Sequence, residues 1–285
     1  MKTYKTVAGL QRNLAKERLK GKTIGFVPTM GALHEGHMSL IGLSAQECDI
    51  TVCSIFVNPT QFNDKDDLKK YPRTLEKDSN LLDQNGCAYL FAPNPSQVYP
   101  DGDAPTLELD LSALTQYMEG PNRPGHFEGV VQVVHRLLEI VHPDKLYMGQ
   151  KDFQQFTIIA HMLKTLKMHT RLRVCPIIRE EDGLAMSSHN VRLTSGIRKQ
   201  ASILHKALQH TKEQLSTKSI KTLQSKALEM MSLPDFEPEY FQIVDGHTLE
   251  PIENAADHSY IVACTAVWAG EVRLIDNMIL KGSTG

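Results

Sequence analysis

"PTMGALHEGHMSL", Pro28 to Leu40, directly follows an apolar, β-branched run, "TIGFV" (Thr23 to Val27). It passes through a turn containing proline and glycine and enters a segment whose Met38, Leu40, Ile41 and Leu43 would face a sheet. The stretch therefore predicts a strand, a tight turn and a helix. His34 and His37 then fall at the helix start, beside unsatisfied backbone N–H groups and the positive end of the helix dipole, where anions bind. Metal ligation fits poorly, because HExxH sites place their histidines four apart on one helical face and "HEGH" spaces them by three. A plainer reading of the pair alone is that one histidine caps the helix and the other packs.

Outward from this stretch, the same alternation continues. "DITVCSIFV" (Asp49 to Val57), "AYLF" (Ala88 to Phe91), "KLYMG" (Lys145 to Gly149) and "RVCPII" (Arg173 to Ile178) read as strands buried on both faces. One helix is expected from Val130, Val133, Val134, Leu137, Leu138 and Val141, stopped by "HPD" at Pro143, and another from about Asp152 to Met168. Strands alternating with helices predict an α/β fold with a mainly parallel sheet, with ligands at the carboxyl ends of its strands. After about Arg179 the pattern changes to two helices (Ile197 to Leu215, Ile220 to Leu233) and then the strands "EYFQIVD", "YIVACTAVWAG" and "VRLIDNMIL". The expected division is residues 1–178 and a smaller α+β domain over residues 179–285.

Bulk composition narrows the function classes. The 285 residues are 41% hydrophobic and 22% charged with a formal net charge of −2, so the chain is globular and carries no overall basic footprint for nucleic acid. No run approaches a membrane span or a signal-peptide core, which makes a cytoplasmic location the expectation. Cys48, Cys53, Cys87, Cys175 and Cys264 form no CxxC pair and read as mostly buried, reduced thiols.

Three further stretches bear on chemistry. "FVNPTQF" (Phe56 to Phe62) places two amides, Asn58 and Gln61, after a strand, where they can orient a small polar substrate. In "YMGQKDFQQF" (Tyr147 to Phe156), Gly149 permits close backbone approach and Lys151 supplies a mobile charge; Asp152 can take ribose hydroxyls or cap the helix, with Gln155 one turn on. "AMSSHNVRLT" (Ala185 to Thr194) offers Ser187 and Ser188 as a hydroxyl pair at an expected helix start, able to bond phosphate oxygens. A serine-nucleophile reading lacks the GxSxG elbow. Each stretch alone also reads as ordinary turn or cap chemistry.

Together and in this order, with "GPNRPGHFEGVVQVV" (Gly120 to Val134), the strings resemble the pantoate–β-alanine ligase (pantothenate synthetase) family of the HIGH-motif nucleotidyltransferase superfamily. The resemblance spans nearly the whole chain. It implies a Rossmann-like domain that binds ATP and (R)-pantoate, a smaller C-terminal lid domain, a homodimer, and Mg²⁺ carried mainly on ATP oxygens with no protein ligand assigned. It also implies two steps: pantoate attacks the α-phosphate to give pantoyl adenylate and pyrophosphate, then β-alanine attacks the acyl carbon to give pantothenate and AMP. By resemblance, His37, His34 and Lys151 are catalytic. The nucleotide is bordered by Met30, Gly31, Ala32, Leu33, His34, Glu35, Gly36, His37, Gly149, Gln150, Lys151, Asp152, Ile178, Met186, Ser187, Ser188 and His189. Gln61, Gln155 and nearby Asn58 face pantoate and β-alanine. His189 departs from the arginine of most relatives, exchanging a permanent charge for one that titrates near ~6.5 when unperturbed, with Arg192 as a partial compensation. Rival readings are another small-molecule adenylyltransferase, whose shorter chains lack the "NPTQF" and "GQKDFQQ" pair, a tRNA synthetase fragment, disfavoured by charge, or a catalytically silent nucleotide-binding module.

Overall fold

The run Ile24–Thr29 forms strand β2 in the computed structural model, which describes residues 1–61, 69, 71–102 and 107–283. Phe62, the last residue of "FVNPTQF", lies outside the described residues. β2 pairs in parallel on both edges, with β3 (Ile50–Ile55) on one side and β5 (Lys145–Gly149) on the other. Beyond β3 lie β4 (Tyr89–Phe91) and a short β1 (Lys2–Tyr4); beyond β5 lies β6 (Arg171–Cys175). The six-stranded sheet has the order β1-β4-β3-β2-β5-β6, and all its pairs are parallel. Strand order reverses between β2 and β5, which is where a doubly wound sheet opens a crevice at its carboxyl edge.

The near-continuous apolar runs are explained by burial: Ile24, Phe26, Val27, Val52, Cys53, Leu90 and Phe91 are fully inaccessible. Helices α1 (Val7–Arg18), α2 (Glu35–Glu47), α3 (Leu75–Gln84), α4 (His126–Val141) and α5 (Phe153–Thr165) connect the strands. α4 buries Val130, Val133, Val134, Leu137, Leu138 and Val141, the stripe read from the sequence. It stops at His142, whose left-handed backbone (φ 46°) returns its N–H to Leu138 before Pro143. All five cysteines are free and buried. Among the described residues no helix is long and apolar enough to cross a membrane.

By contacts, the chain divides into one unit of residues 1–110, 123–149 and 158–175 and a second of residues 111–122, 150–157 and 176–285. In the second, helices α6 (Ile203–Gln214) and α7 (Ile220–Met231) share a core with an antiparallel sheet β7-β8-β9 (Phe236–Asp245, Ile261–Ala269, Val272–Lys281). The two inserted segments join it through buried polar contacts. Glu119 accepts from Arg273 Nη1 (2.7 Å), Arg273 Nη2 (2.8 Å) and the Tyr240 hydroxyl (2.7 Å), while Gln154 donates to Leu114 O (2.8 Å) and Tyr117 O (3.0 Å). Long-range pairs of this kind leave no periodic trace, so the expected division at 178/179 does not contain them. Two further details differ from the sequence reading. β6 ends at Cys175, because Pro176 has no N–H for the ladder. The single helix expected over Ile197 to Leu215 is two, Ser195–Gln200 and α6, separated at Ala201 and Ser202.

Gly25, in the middle of β2, has no room for a side chain: a Cβ there would lie 2.9 Å from Tyr147 Cε2 and would also strike Ser44 Oγ. Gly25→Ala is therefore expected to cost about 1–3 kcal/mol by overpacking and to lower the thermal midpoint by several degrees in a melting experiment. An unchanged midpoint would show that this strand is not as tightly held as described.

Candidate functional site

In the first unit, the turn after β2 is built from unusual backbone. Gly31 and Ala32 have φ of 87° and 50°, and for a residue with a Cβ the left-handed region costs about 1–2 kcal/mol. Asp78, from α3, holds them there: its carboxylate accepts from Ala32 N (3.0 Å), Leu33 N (2.9 Å) and Thr74 Oγ1 (3.2 Å), and it is 1% exposed. Thr29 Oγ1 completes the turn, accepting from Gly31 N (3.2 Å) and donating to Ser54 O (2.7 Å). Sequence reasoning missed Asp78. Its only sequence signal is an acidic residue in the first turn of a helix, which ordinarily needs no explanation.

That turn delivers His34 as the N-cap of α2 and His37 as the third residue of its first turn. Gly36 N donates to His34 Nδ1 (3.1 Å), and His34 N donates to His37 Nδ1 (3.3 Å), a reciprocal cap of the kind usually made by serine and glutamate. The rings lie 4.2 Å apart between centroids. Both histidines therefore cap, where the plainer reading had one cap and the other pack, and this has a chemical consequence. A backbone N–H can only donate, so each Nδ1 must be an unprotonated acceptor and each neutral ring carries its proton on Nε2. The pair is thereby set as two N–H donors at a helix N-terminus, an arrangement suited to phosphate oxygens.

Gln61 comes to the same strand end, its Nε2 3.1 Å from the Met30 sulfur. Its carbonyl bonds His126 Nδ1 (2.9 Å), at the start of α4. Asn58 is placed differently from its expected substrate-facing role. It is fully buried, and its amide donates to Thr60 Oγ1 (2.9 Å) and Gly129 O (3.2 Å) while Oδ1 accepts from the Tyr99 hydroxyl (3.2 Å). Burial pushes the Tyr99 phenol up to about 12, so it remains a donor. Asn58 therefore braces the loop that carries Gln61. Gly129 lets α4 approach that loop, since a Cβ there would lie 2.6 Å from Thr60 O.

β5 ends at Gly149, and the chain continues into Gln150, Lys151 and Asp152 of the second unit. Asp152 is exposed, its carboxylate is 3.8 Å from Lys151 Nζ, and its carbonyl accepts from Phe156 N (3.0 Å). Gln155 is half-buried in the first turn of α5. The Gln150 and Lys151 carbonyls are both bonded by Asn277 of β9, a residue the sequence reading also missed. Elsewhere in this unit, Ile178 O accepts from Met186 N (3.0 Å). Ser187 Oγ accepts from His189 N (3.2 Å), and Asn190 Nδ2 secures Ala185 O (3.1 Å). The serines do not start an α-helix as expected. They precede a single 3₁₀ turn, Asn190–Arg192, since the local side-chain bond from Ser187 favours a turn over a helical ladder.

Comparison with known proteins agrees along the full length. A family model for pantoate-beta-alanine ligase matches residues 2–279. A pantothenate synthetase of Porphyromonas gingivalis is 48% identical over 98% of this chain and 99% of its own, and one of Bacteroides fragilis is 45% identical over 99% and 100%. Among solved structures, pantothenate synthetase from Thermus thermophilus superposes with a TM-score of 0.92 at 38% identity, covering 99% of this chain and 100% of its own. Pantoate-beta-alanine ligase from Francisella tularensis, complexed with beta-gamma ATP and beta-alanine, gives 0.81 at 33% identity with both chains fully covered.

Asp78→Asn keeps the shape of the buried side chain but turns part of it into a donor facing backbone N–H groups. The expected result is a fall of about tenfold or more in the rate of pantothenate formation, the equivalent of about 1.4 kcal/mol or more in the barrier. A rate equal to that of the parent chain would show that the turn does not need this carboxylate.

Proposed function

This chain belongs to the pantoate–β-alanine ligase family, and we propose that it joins (R)-pantoate to β-alanine with ATP through a pantoyl adenylate. The observation that carries the reading is the reciprocal histidine cap after β2, which presents two imidazole Nε2–H donors at the sheet's switch point. In the first step a pantoate carboxylate oxygen bonds to the α-phosphorus, and the bond to the bridging oxygen breaks with its electrons leaving on pyrophosphate. Charge builds on phosphoryl oxygens, so the work of the protein is alignment and charge stabilisation. His34 and His37 donate hydrogen bonds through Nε2 to the α-phosphate region, His37 toward the departing oxygen. In the second step the β-alanine amine attacks the acyl carbon, the acyl–phosphate oxygen bond breaks, AMP leaves and the new amide nitrogen sheds its proton.

The remaining assignments follow the resemblance. Met30, Gly31, Ala32, Leu33, Glu35 and Gly36 give the nucleotide a backbone border, together with Gly149, Gln150, Ile178 and Met186. Lys151 supplies a phosphate cation and Asp152 a ribose acceptor. Ser187, Ser188 and His189 hold outer phosphates, while Gln61 and Gln155 hold the small acids and Asn58 supports Gln61. The Francisella tularensis neighbour, complexed with beta-gamma ATP and beta-alanine, supports this substrate set. The donors proposed for the nucleotide are imidazole, ammonium and hydroxyl groups. That set suits Mg²⁺ arriving on ATP with its own waters, where it neutralises phosphate charge. A cytoplasmic homodimer belongs to the same reading, and sedimentation at micromolar concentration tests its assembly.

The direct test follows pyrophosphate release with ATP, Mg²⁺ and pantoate, with mass detection of the acyl adenylate. A stoichiometric burst without β-alanine, becoming steady turnover to AMP and pantothenate on its addition, is the expected outcome; no pantoate-dependent release would refute the reading. His34→Asn retains an N-cap acceptor while removing the Nε2 donor. It and His37→Ala are each expected to lower the burst rate about 10²- to 10³-fold, as for loss of one oxyanion donor. Unaltered burst rates in both variants would return the histidines to a purely structural role.

A further inference from the structure

Two segments assigned to ATP in the second unit, Gln150–Asp152 and Ile178–His189, meet one pair of adjacent residues on β9. Asn277 Nδ2 donates to Gln150 O (2.9 Å) and to Lys151 O (2.8 Å), and its Oδ1 accepts from Gln150 Nε2 (3.1 Å). Asp276 Oδ1 accepts from Asn277 N (2.7 Å), and its carboxylate takes both guanidinium nitrogens of Arg179, at 2.7 and 3.0 Å. Arg179 donates onward to Gly183 O (2.9 Å) and Asn277 O (3.3 Å). It also pairs with Ala185 across the hairpin that leads into Met186, Ser187 and Ser188. Asp276 and Asn277 are 3% and 2% exposed.

We propose that Asp276 and Asn277 are a positioning pair for the ligase reaction, fixing from one strand both the backbone that carries Lys151 and the hairpin that carries the two serines. The inference rests on the functional reading above. Its physical basis is the nature of lysine: a four-carbon stem is flexible, so a protein can preorganise the ammonium only by fixing the stem's root. The carbonyls of Gln150 and Lys151 precede α5 and lie outside its hydrogen-bond ladder. One amide group bonds both, which sets the peptide planes on either side of the Lys151 N–H and Cα. Asp276 then ties that amide's strand position to Arg179, so a shift in one phosphate-binding segment is resisted by the other. A displacement of about 1 Å at a reacting group can cost a hundredfold in rate, which is the scale at which such a pair matters.

Asn277→Asp has the same shape but cannot donate to either carbonyl. On the full chain it is expected to lower kcat about 10- to 100-fold. Introduced into a Lys151→Ala background it should cost less than about twofold more, because its effect passes through Lys151. Equal loss in the two backgrounds would overturn the proposal. Arg179→Lys, a milder change that keeps the charge on Asp276 but loses the fork, covers the case in which the first variant does not fold. It is expected to raise the KM for ATP about three- to tenfold and leave the KM for pantoate unchanged. A drop in folded fraction with both KM values intact would mean the pair only stabilises the unit, and would overturn the proposal. A parent chain with no pantoate-dependent pyrophosphate release would overturn the functional reading itself, and this inference with it.

Discussion

Everything at the carboxyl edge of the sheet depends on strand β2 being hydrogen-bonded in parallel on both sides, to β3 and to β5. β3 lines the whole of β2 and β5 pairs with it at Gly25 and Phe26, and the chain leaving Thr29 turns sharply to enter α2. The connections from β2 and β5 start at adjacent strand ends, and the one from β2 leads to His34. Close packing at Gly25 and the buried apolar runs keep that edge from sliding. Fold and site are thus linked by one geometric fact, the reversal of strand order beside β2.

The chemistry added to this frame is mostly backbone chemistry. Asp78 holds two N–H groups of a strained turn, the histidines satisfy N–H groups of α2, and Asn277 satisfies two carbonyls before α5. Each side chain exchanges a polar group that would otherwise be unpaired for a fixed direction in space. For the histidines the exchange also selects a tautomer. A cationic ring would have to give up its Nδ1 acceptor role, so the cap favours neutral imidazoles that donate through Nε2. The positive end of the α2 dipole adds to the same terminus a partial charge that has no tautomer to lose.

Much of this was legible in the sequence, and the limits are physical. Strands β2 to β5 were visible because burial on both faces demands apolar runs, and α4 because its stripe repeats at helical spacing; the short, mostly exposed β1 was not seen, and β6 is exposed or half-buried along most of its length rather than buried on both faces. His34 and His37 were visible at a helix start, since strand, turn and helix signals are all local. The partners of Asn58, which are Thr60, Tyr99 and Gly129, are not legible, because in sequence an amide after a strand looks the same whatever it faces. Asp78 and Asn277 gave no signal: their partners lie up to 46 and 127 residues away, and no short-range pattern encodes such pairs. The segments 111–122 and 150–157 escaped the expected domain division for the same reason.

The most direct test of the central claim, that backbone capping sets His34 and His37 as neutral Nε2–H donors, is the ¹⁵N spectrum of the imidazole rings at neutral pH, assigned with the His34→Asn and His37→Ala variants. The account predicts two rings with bare Nδ1 and protonated Nε2, both retaining that tautomer when ATP and Mg²⁺ bind. A ring protonated on Nδ1, or an imidazolium in either position, would contradict it.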